Sequence, residues 1–81
     1  MQEQLLKQAF ERVVQQVETA KHYETKKIVI YPLPGMTKET QRRFWMELAN
    51  AVGEDALFEK DYRPWTMEGA LKGECAWLRI Y

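Results

Sequence analysis

The sequence has little of what most catalytic and metal-binding sites require. It contains one cysteine, Cys75, so an internal disulfide bond is excluded, and a reducing compartment is the expected environment. It also contains one histidine, His22, which falls near the end of a predicted helix and is expected to be solvated. Clustered histidine, cysteine and carboxylate residues with metal-ligand spacing are missing, so we predict neither a metal site nor another cofactor. We therefore predict a non-enzymatic protein.

Long apolar runs and an excess charge of one sign are also missing. No run approaches the ~18 apolar residues of a transmembrane helix, and the N-terminus lacks a signal-peptide pattern. We therefore expect a cytoplasmic protein that does not use a membrane. The 12 basic and 12 acidic residues cancel, so there is no overall attraction to nucleic acid. Their distribution is uneven, since residues 21–43 carry six basic and two acidic groups, whereas residues 44–81 carry four basic and seven acidic groups.

Aromatic residues are unusually abundant for a chain of this length. The chain of 81 residues is expected to form a single small domain, 1–81, with room for only one core. Ten aromatic side chains, three of them tryptophan, are more than such a core can hide. Some of them are therefore expected to face a partner, and a second copy of the chain is one candidate because so small a domain is only marginally stable.

Residues 26–53 predict a strand, a tight turn and a helix. Ile28–Tyr31 is a continuous apolar run of the kind found in a buried strand. The turn follows at residues 32–35, which contain two prolines and a glycine. Thr37 is the predicted N-cap of a helix that ends at Gly53. The apolar face of this helix consists of Phe44, Trp45, Leu48, Ala51 and Val52.

The flanking segments predict a second helix and further strands. Apolar residues recur at spacings of three and four in residues 3–23, which predicts an amphipathic helix. Residues 54–65 are ambiguous: Glu54 and Asp55 suit the start of a helix, whereas the alternation of residues 57–62 favours a short strand or an extended loop that ends at Pro64. A short helix capped by Thr66 should follow over residues 67–72. The chain then ends in an alternating strand over residues 75–81.

These elements predict a small α/β domain of the α+β type. The helices 3–23 and 38–52 should cover one face of a two- or three-stranded sheet and leave the other face open. If the first two strands run parallel, the central helix should connect them with a right-handed crossover. The terminal strand should direct Ala76, Leu78 and Ile80 towards the helices, and Trp77, Arg79 and Tyr81 towards the open face.

Protein binding is the first functional hypothesis. An open aromatic face and an unpaired strand edge both suit the capture of another protein or of a second copy. Small phage-encoded inhibitors of host or defence complexes share this size and composition, which is an analogy only. The predicted anchors are Trp65, Trp77, Arg79 and Tyr81, and the predicted acidic contact patch consists of Glu54, Asp55, Glu59 and Asp61.

Binding of single-stranded nucleic acid is the alternative hypothesis. The basic centre of the chain would contact phosphates, while Tyr31, Trp65 or Trp77 would stack on bases. Glu39 and Arg43 have the i,i+4 spacing of a helical ion pair, whereas Arg42 has no acidic residue four positions away. The predicted phosphate contacts are Lys26, Lys27, Lys38, Arg42 and Arg43.

A family resemblance favours the same alternative. After the strand Ile28-Val29-Ile30, the central helix carries the pattern Thr37-x-Glu39-x-Gln41-Arg42-Arg43-Phe44-Trp45-x-x-Leu48. Residues 28–48 in this way resemble the strand and following helix of phage NinB proteins, also called Orf recombination mediators. Members of that family are dimers that bind single-stranded DNA. The resemblance implies that Arg42 and Arg43 contact DNA.

Overall fold

The computed structural model describes residues 1–31, 33–59, 62–73 and 76–80, except for the side chain of Glu54. The predicted α+β class is confirmed. The elements in chain order are α1 (Gln2–His22), β1 (Lys27–Ile30), α2 (Lys38–Val52), a 3-10 turn (Glu54–Ala56), β2 (Leu57–Phe58), α3 (Met67–Leu71) and β3 (Ala76–Arg79).

The three strands form one antiparallel sheet with the order β1-β3-β2. The last strand is therefore the central one. Lys27 of β1 lies opposite Arg79 of β3, and Leu57 of β2 lies opposite Leu78 of β3. Strands β1 and β2, which α2 connects, run in the same direction but lie on opposite sides of β3. The two edges of the sheet are thus β1 and β2.

The helices pack on one face of this sheet and leave the other face uncovered by helices. Phe44 and Trp45 of α2 are completely buried, and Ile30 of β1 is 1% exposed. These side chains form one core with apolar residues of α1, α3 and the other two strands. Burying large aromatic rings supplies much of the free energy that holds so small a domain together.

The predicted ends of α2 and the predicted start of α3 are confirmed by their capping geometry. The Thr37 hydroxyl oxygen accepts a hydrogen bond from the Thr40 N–H of α2, and Gly53 ends that helix with φ = 88°. The Thr66 hydroxyl oxygen accepts from the Gly69 N–H and caps α3. Each of the two threonine caps accepts a hydrogen bond from a backbone N–H that has no acceptor within its own helix.

Three details of the prediction were wrong. The strand expected over residues 57–62 ends at Phe58, because the Glu59 N–H donates to the Arg63 carbonyl and closes a tight turn. Tyr31 lies outside β1 and is exposed. On α2, Ala49 is buried instead of Ala51, since α3 packs against that side of the helix.

Across the described segments, no helix combines the length and the apolar composition that crossing a membrane requires.

Candidate binding surface on the open sheet face

Strand register brings two aromatic and two basic residues together on the face of the sheet opposite the helices. Ala76 and Leu78 of β3 belong to the core, so Trp77 and Arg79 point to the other side. Lys27 lies opposite Arg79, and Phe58 lies opposite Trp77. Directly opposite residues of an antiparallel pair share a face, so these four side chains are neighbours. Together with Tyr62, which reaches them from the turn after β2, they form what we call the open-face cluster.

The rings of the open-face cluster lie in a row. Tyr62 stacks on Phe58 with ring centroids 5.1 Å apart and an angle of 7° between the ring planes. Phe58 in turn lies 6.3 Å from Trp77 at an angle of 17°. Phe58, in the middle, is 6% exposed, whereas the outer ring of Tyr62 is 67% exposed. The row therefore offers solvent a broad aromatic surface at Tyr62 and a partly covered one at Trp77.

Two cations lie over these rings. The Lys27 Nζ atom is 4.8 Å from the Trp77 ring centroid and 5.2 Å from that of Tyr62. The Arg79 Cζ atom is 5.5 Å from the Phe58 centroid. These are cation–π distances, at which a positive charge is attracted to the ring face. Four members of the cluster, all except Trp77, line a hollow of about 130 Å³ together with Lys26, and its described lining residues include no acidic side chain.

Tyr62 reaches the cluster because of an unusual backbone conformation. Its φ is 62°, in the left-handed region that side chains other than glycine rarely adopt. The Tyr62 N–H donates to the Glu59 carbonyl, which holds the turn closed. The ring stack with Phe58 forms only when the chain reverses this sharply. Packing thus compensates for a backbone conformation that is unfavourable by itself.

Two of the four predicted protein-binding residues lie on this face in the described part of the chain. Trp77 is half-buried in the open-face cluster, and Arg79 is exposed there. Trp65 instead packs against the core, with its ring 6.3 Å from that of Trp45. Tyr81 lies outside the described residues.

The predicted acidic patch is not assembled in the described residues. Asp55 is exposed and shares a hollow of about 330 Å³ with Trp65, Tyr62 and Arg79. The side chain of Glu54 and the whole of Asp61 lie outside the described part of the chain. The remaining member, Glu59, is buried.

Glu59 was wrongly predicted to be an exposed contact residue. The residue is 7% exposed, and its Oε1 atom accepts hydrogen bonds from the Thr66 N–H (3.1 Å) and the Thr66 hydroxyl (2.9 Å). Its Oε2 atom lies 3.8 Å from the Arg63 guanidinium. The carboxylate therefore ties the turn after β2 to the residue that caps α3. It holds in place the turn that carries Tyr62.

Replacing Glu59 by alanine should therefore destabilise the fold. We expect a loss of about 1–3 kcal/mol in the free energy of unfolding, because the two hydrogen bonds that Thr66 donates to a charged carboxylate are removed. Urea unfolding followed by circular dichroism measures this loss. Glu11→Ala, which removes an exposed carboxylate of α1, is the control and should change stability by less than about 0.5 kcal/mol. Equal effects of the two substitutions would contradict the structural role of Glu59.

The predicted phosphate contacts fall into two separate groups. Lys26 and Lys27 lie at β1 and line the open-face hollow. Lys38 and Arg42 are exposed on α2, which belongs to the helix layer. The five basic residues therefore do not form one surface.

Arg43 has a different partner from the one predicted. Its guanidinium donates to the Glu3 carboxylate of α1 rather than forming an ion pair with Glu39 of its own helix. The hydrogen bond and the negative charge of Glu3 raise the pKa of Arg43. The ion pair joins α1 to α2, so part of the Arg43 charge is already compensated within the chain.

Two members of the open-face cluster, Phe58 and Tyr62, were not among the predicted site residues. The signal was present, since both fall on one side of the alternating pattern that predicted a strand over residues 57–62. What the pattern did not show was the turn after Phe58. That turn places the two rings face to face instead of four positions apart along a strand.

The described residues contain no group of three or more histidine, cysteine or acidic side chains that could hold a metal ion. No protein-family model, curated protein or solved structure matches this chain.

Proposed function

We propose that this protein is a non-enzymatic module that binds single-stranded nucleic acid on the open sheet face. The observation that carries the proposal is the row of nearly parallel rings, Tyr62, Phe58 and Trp77, with Lys27 and Arg79 beside it. Proteins that bind single strands combine the same two components. Aromatic rings stack on bases, and basic side chains neutralise the phosphates between them.

Four members of the cluster have distinct roles in this proposal. Tyr62 is the most exposed ring and stacks on the first base, while Trp77 stacks on a neighbouring one. Lys27 is exposed, and an exposed cation–π contact is worth only about 0.5–1 kcal/mol, so its amine can leave the rings for a phosphate. Arg79 stays over Phe58 and presents its guanidinium to the next phosphate.

The basic side chains of the open face support nucleic acid as the partner, although Asp55 shares a neighbouring hollow with Tyr62 and Arg79. Lys26, Lys27 and Arg79 lie together without a described carboxylate in their hollow. Glu59 is withdrawn into a buried hydrogen-bonded position, and most of Trp65 is engaged with the core. Protein capture through Trp77 and Arg79 stays a prediction. So does the resemblance of residues 28–48 to NinB proteins, which would add Arg42 to the phosphate contacts.

Removing the exposed ring tests the proposal. Tyr62→Ala should weaken binding of a fifteen-nucleotide oligothymidylate by about 5- to 150-fold, because stacking of one base contributes about 1–3 kcal/mol. Tyr62→Phe keeps the ring and should bind like the unsubstituted protein. Fluorescence anisotropy of a labelled oligonucleotide at low salt gives the dissociation constants.

The matched control is Tyr23→Ala, since Tyr23 is equally exposed but lies beyond the end of α1. It should leave the affinity unchanged. The proposal is wrong if the unsubstituted protein shows no binding at low salt. It is also wrong if polyglutamate of the same charge competes as well as the oligonucleotide, because charge alone would then be recognised and not the bases.

A further inference from the structure

A groove lies on a different part of the molecule, between α1 and the outer edge of β1. It has a volume of about 480 Å³. One wall is the polar side of α1, and the other is the start of the sheet edge at Thr25 and Ile28. The lining residues are Arg12, Gln15, Gln16, Thr19, Ala20, Thr25 and Ile28. None of them belongs to the open-face cluster.

The register of the sheet shows which backbone groups of β1 face this edge. The Ile80 N–H donates to the Lys26 carbonyl, so residues 26 and 80 form a hydrogen-bonded pair. Along antiparallel strands, hydrogen-bonded pairs alternate with pairs that are not hydrogen-bonded. Ile28 and Ile30 therefore also direct their N–H and C=O groups to β3. Lys27 and Val29 direct theirs away from the sheet. The edge therefore offers backbone donors and acceptors to an additional strand.

A contact made by Gln16 supports this assignment independently. Its side-chain amide reaches from α1 towards the outward carbonyl of Val29, at 3.5 Å. A bond of this length is at the limit of hydrogen bonding and involves an exposed side chain. An N–H of an added strand could replace it at the same carbonyl.

The charge of the groove indicates which kind of side chain an added strand should present to it. Arg12 is the only charged residue among the seven lining residues, and it forms no ion pair with the described part of the chain. The other lining side chains are amides, hydroxyls and two apolar groups. A carboxylate is the group that a guanidinium binds most strongly, through two parallel hydrogen bonds.

We propose that this groove binds an extended peptide segment of another protein, which adds to β1 as a fourth strand and places a carboxylate against Arg12. Addition of a strand to a sheet edge beside a helix obtains its affinity from backbone hydrogen bonds and its selectivity from the side chains that enter the groove. This site is separate from the open-face cluster and does not depend on nucleic-acid binding.

A pair of defined peptides tests the proposal. Both are five residues long, acetylated and amidated, and alternate valine with threonine, but one has a central glutamate and the other a central lysine. We expect the glutamate peptide to bind at least tenfold more tightly in a titration followed by ¹H–¹⁵N correlation spectra. The largest shifts should occur at the amides of Lys27 and Val29, with no change at Tyr62.

Charge reversal provides the decisive variant. Arg12→Glu should reverse the preference between the two peptides, whereas Arg42→Glu, on the exposed side of α2, should leave it unchanged. Val29→Pro removes an N–H that the sheet does not use, so this variant should fold and fail to bind.

The inference is overturned if neither peptide shifts the β1 amides at millimolar concentration, or if Arg12→Glu keeps the original preference. It is also overturned if those amides shift with protein concentration alone, since a second copy would then occupy the edge.

Discussion

Replacing Trp45 with alanine is expected to lower the free energy of unfolding by about 3–5 kcal/mol, which is the usual cost of removing a buried large aromatic ring. Stabilities of whole domains are only about 5–15 kcal/mol, and one of 81 residues lies near the lower end. We therefore expect the variant to be largely unfolded at 37 °C. Urea unfolding monitored by circular dichroism measures the effect.

The position of Trp45 explains the size of this effect. The ring is completely buried and contacts two other aromatic rings, Phe44 at 4.9 Å and Trp65 at 6.3 Å. Trp65 directly precedes Thr66, the residue that caps α3. A cavity at Trp45 would therefore loosen both the core and the support of the short third helix.

The neighbouring residue is the control for Trp45. Met46 is on the same helix but 53% exposed, so Met46→Ala should cost less than about 0.5 kcal/mol. A loss below 1 kcal/mol for Trp45→Ala would contradict the packing described for α2.

Reversing the two charges of the open-face cluster should produce the largest change in nucleic-acid affinity. Lys27→Glu combined with Arg79→Glu is expected to weaken binding of a single-stranded oligonucleotide by more than 100-fold at low salt. The substitutions remove two attractive contacts and introduce two repulsive ones. Each phosphate contact of a single strand contributes ~0.7 to the slope of log affinity against log salt, so the slope should fall by about 1.4.

The fold should tolerate this double substitution. Lys27 and Arg79 are exposed and lie opposite each other on neighbouring strands, so two like charges already face each other. Two glutamates restore the same arrangement with the opposite sign. The loss of stability should be limited to the cation–π contacts, about 0.5–1 kcal/mol each. A thermal unfolding curve separates this small loss from the loss of binding.

A second double variant distinguishes the two basic groups. Lys38→Glu combined with Arg42→Glu changes the charge by the same amount in the helix layer. If the open face is the binding surface, this variant should bind within about threefold of the unsubstituted protein. A larger loss for the α2 variant than for the sheet variant would reject the open-face site and favour the surface that the NinB resemblance implies.

The sequence by itself determined the capped helix ends and the side of the terminal strand that faces the core. Thr37, Gly53 and Thr66 act within one helical turn, so their side chains and backbone angles are sufficient to place these helix ends. The alternation of the terminal strand likewise places Trp77 on the side opposite the core, because successive side chains of any strand point to opposite faces. These signals are local.

Only the tertiary structure decided how the elements combine. Arg43 pairs with Glu3, 40 positions away, in preference to a neighbour within its own helix. The terminal strand occupies the centre of the sheet and brings Trp77 beside Phe58. Tyr62, whose backbone adopts the left-handed conformation, completes the row of rings. Such contacts depend on which packing has the lowest free energy for the whole chain, and a pattern read over a few residues does not contain that information.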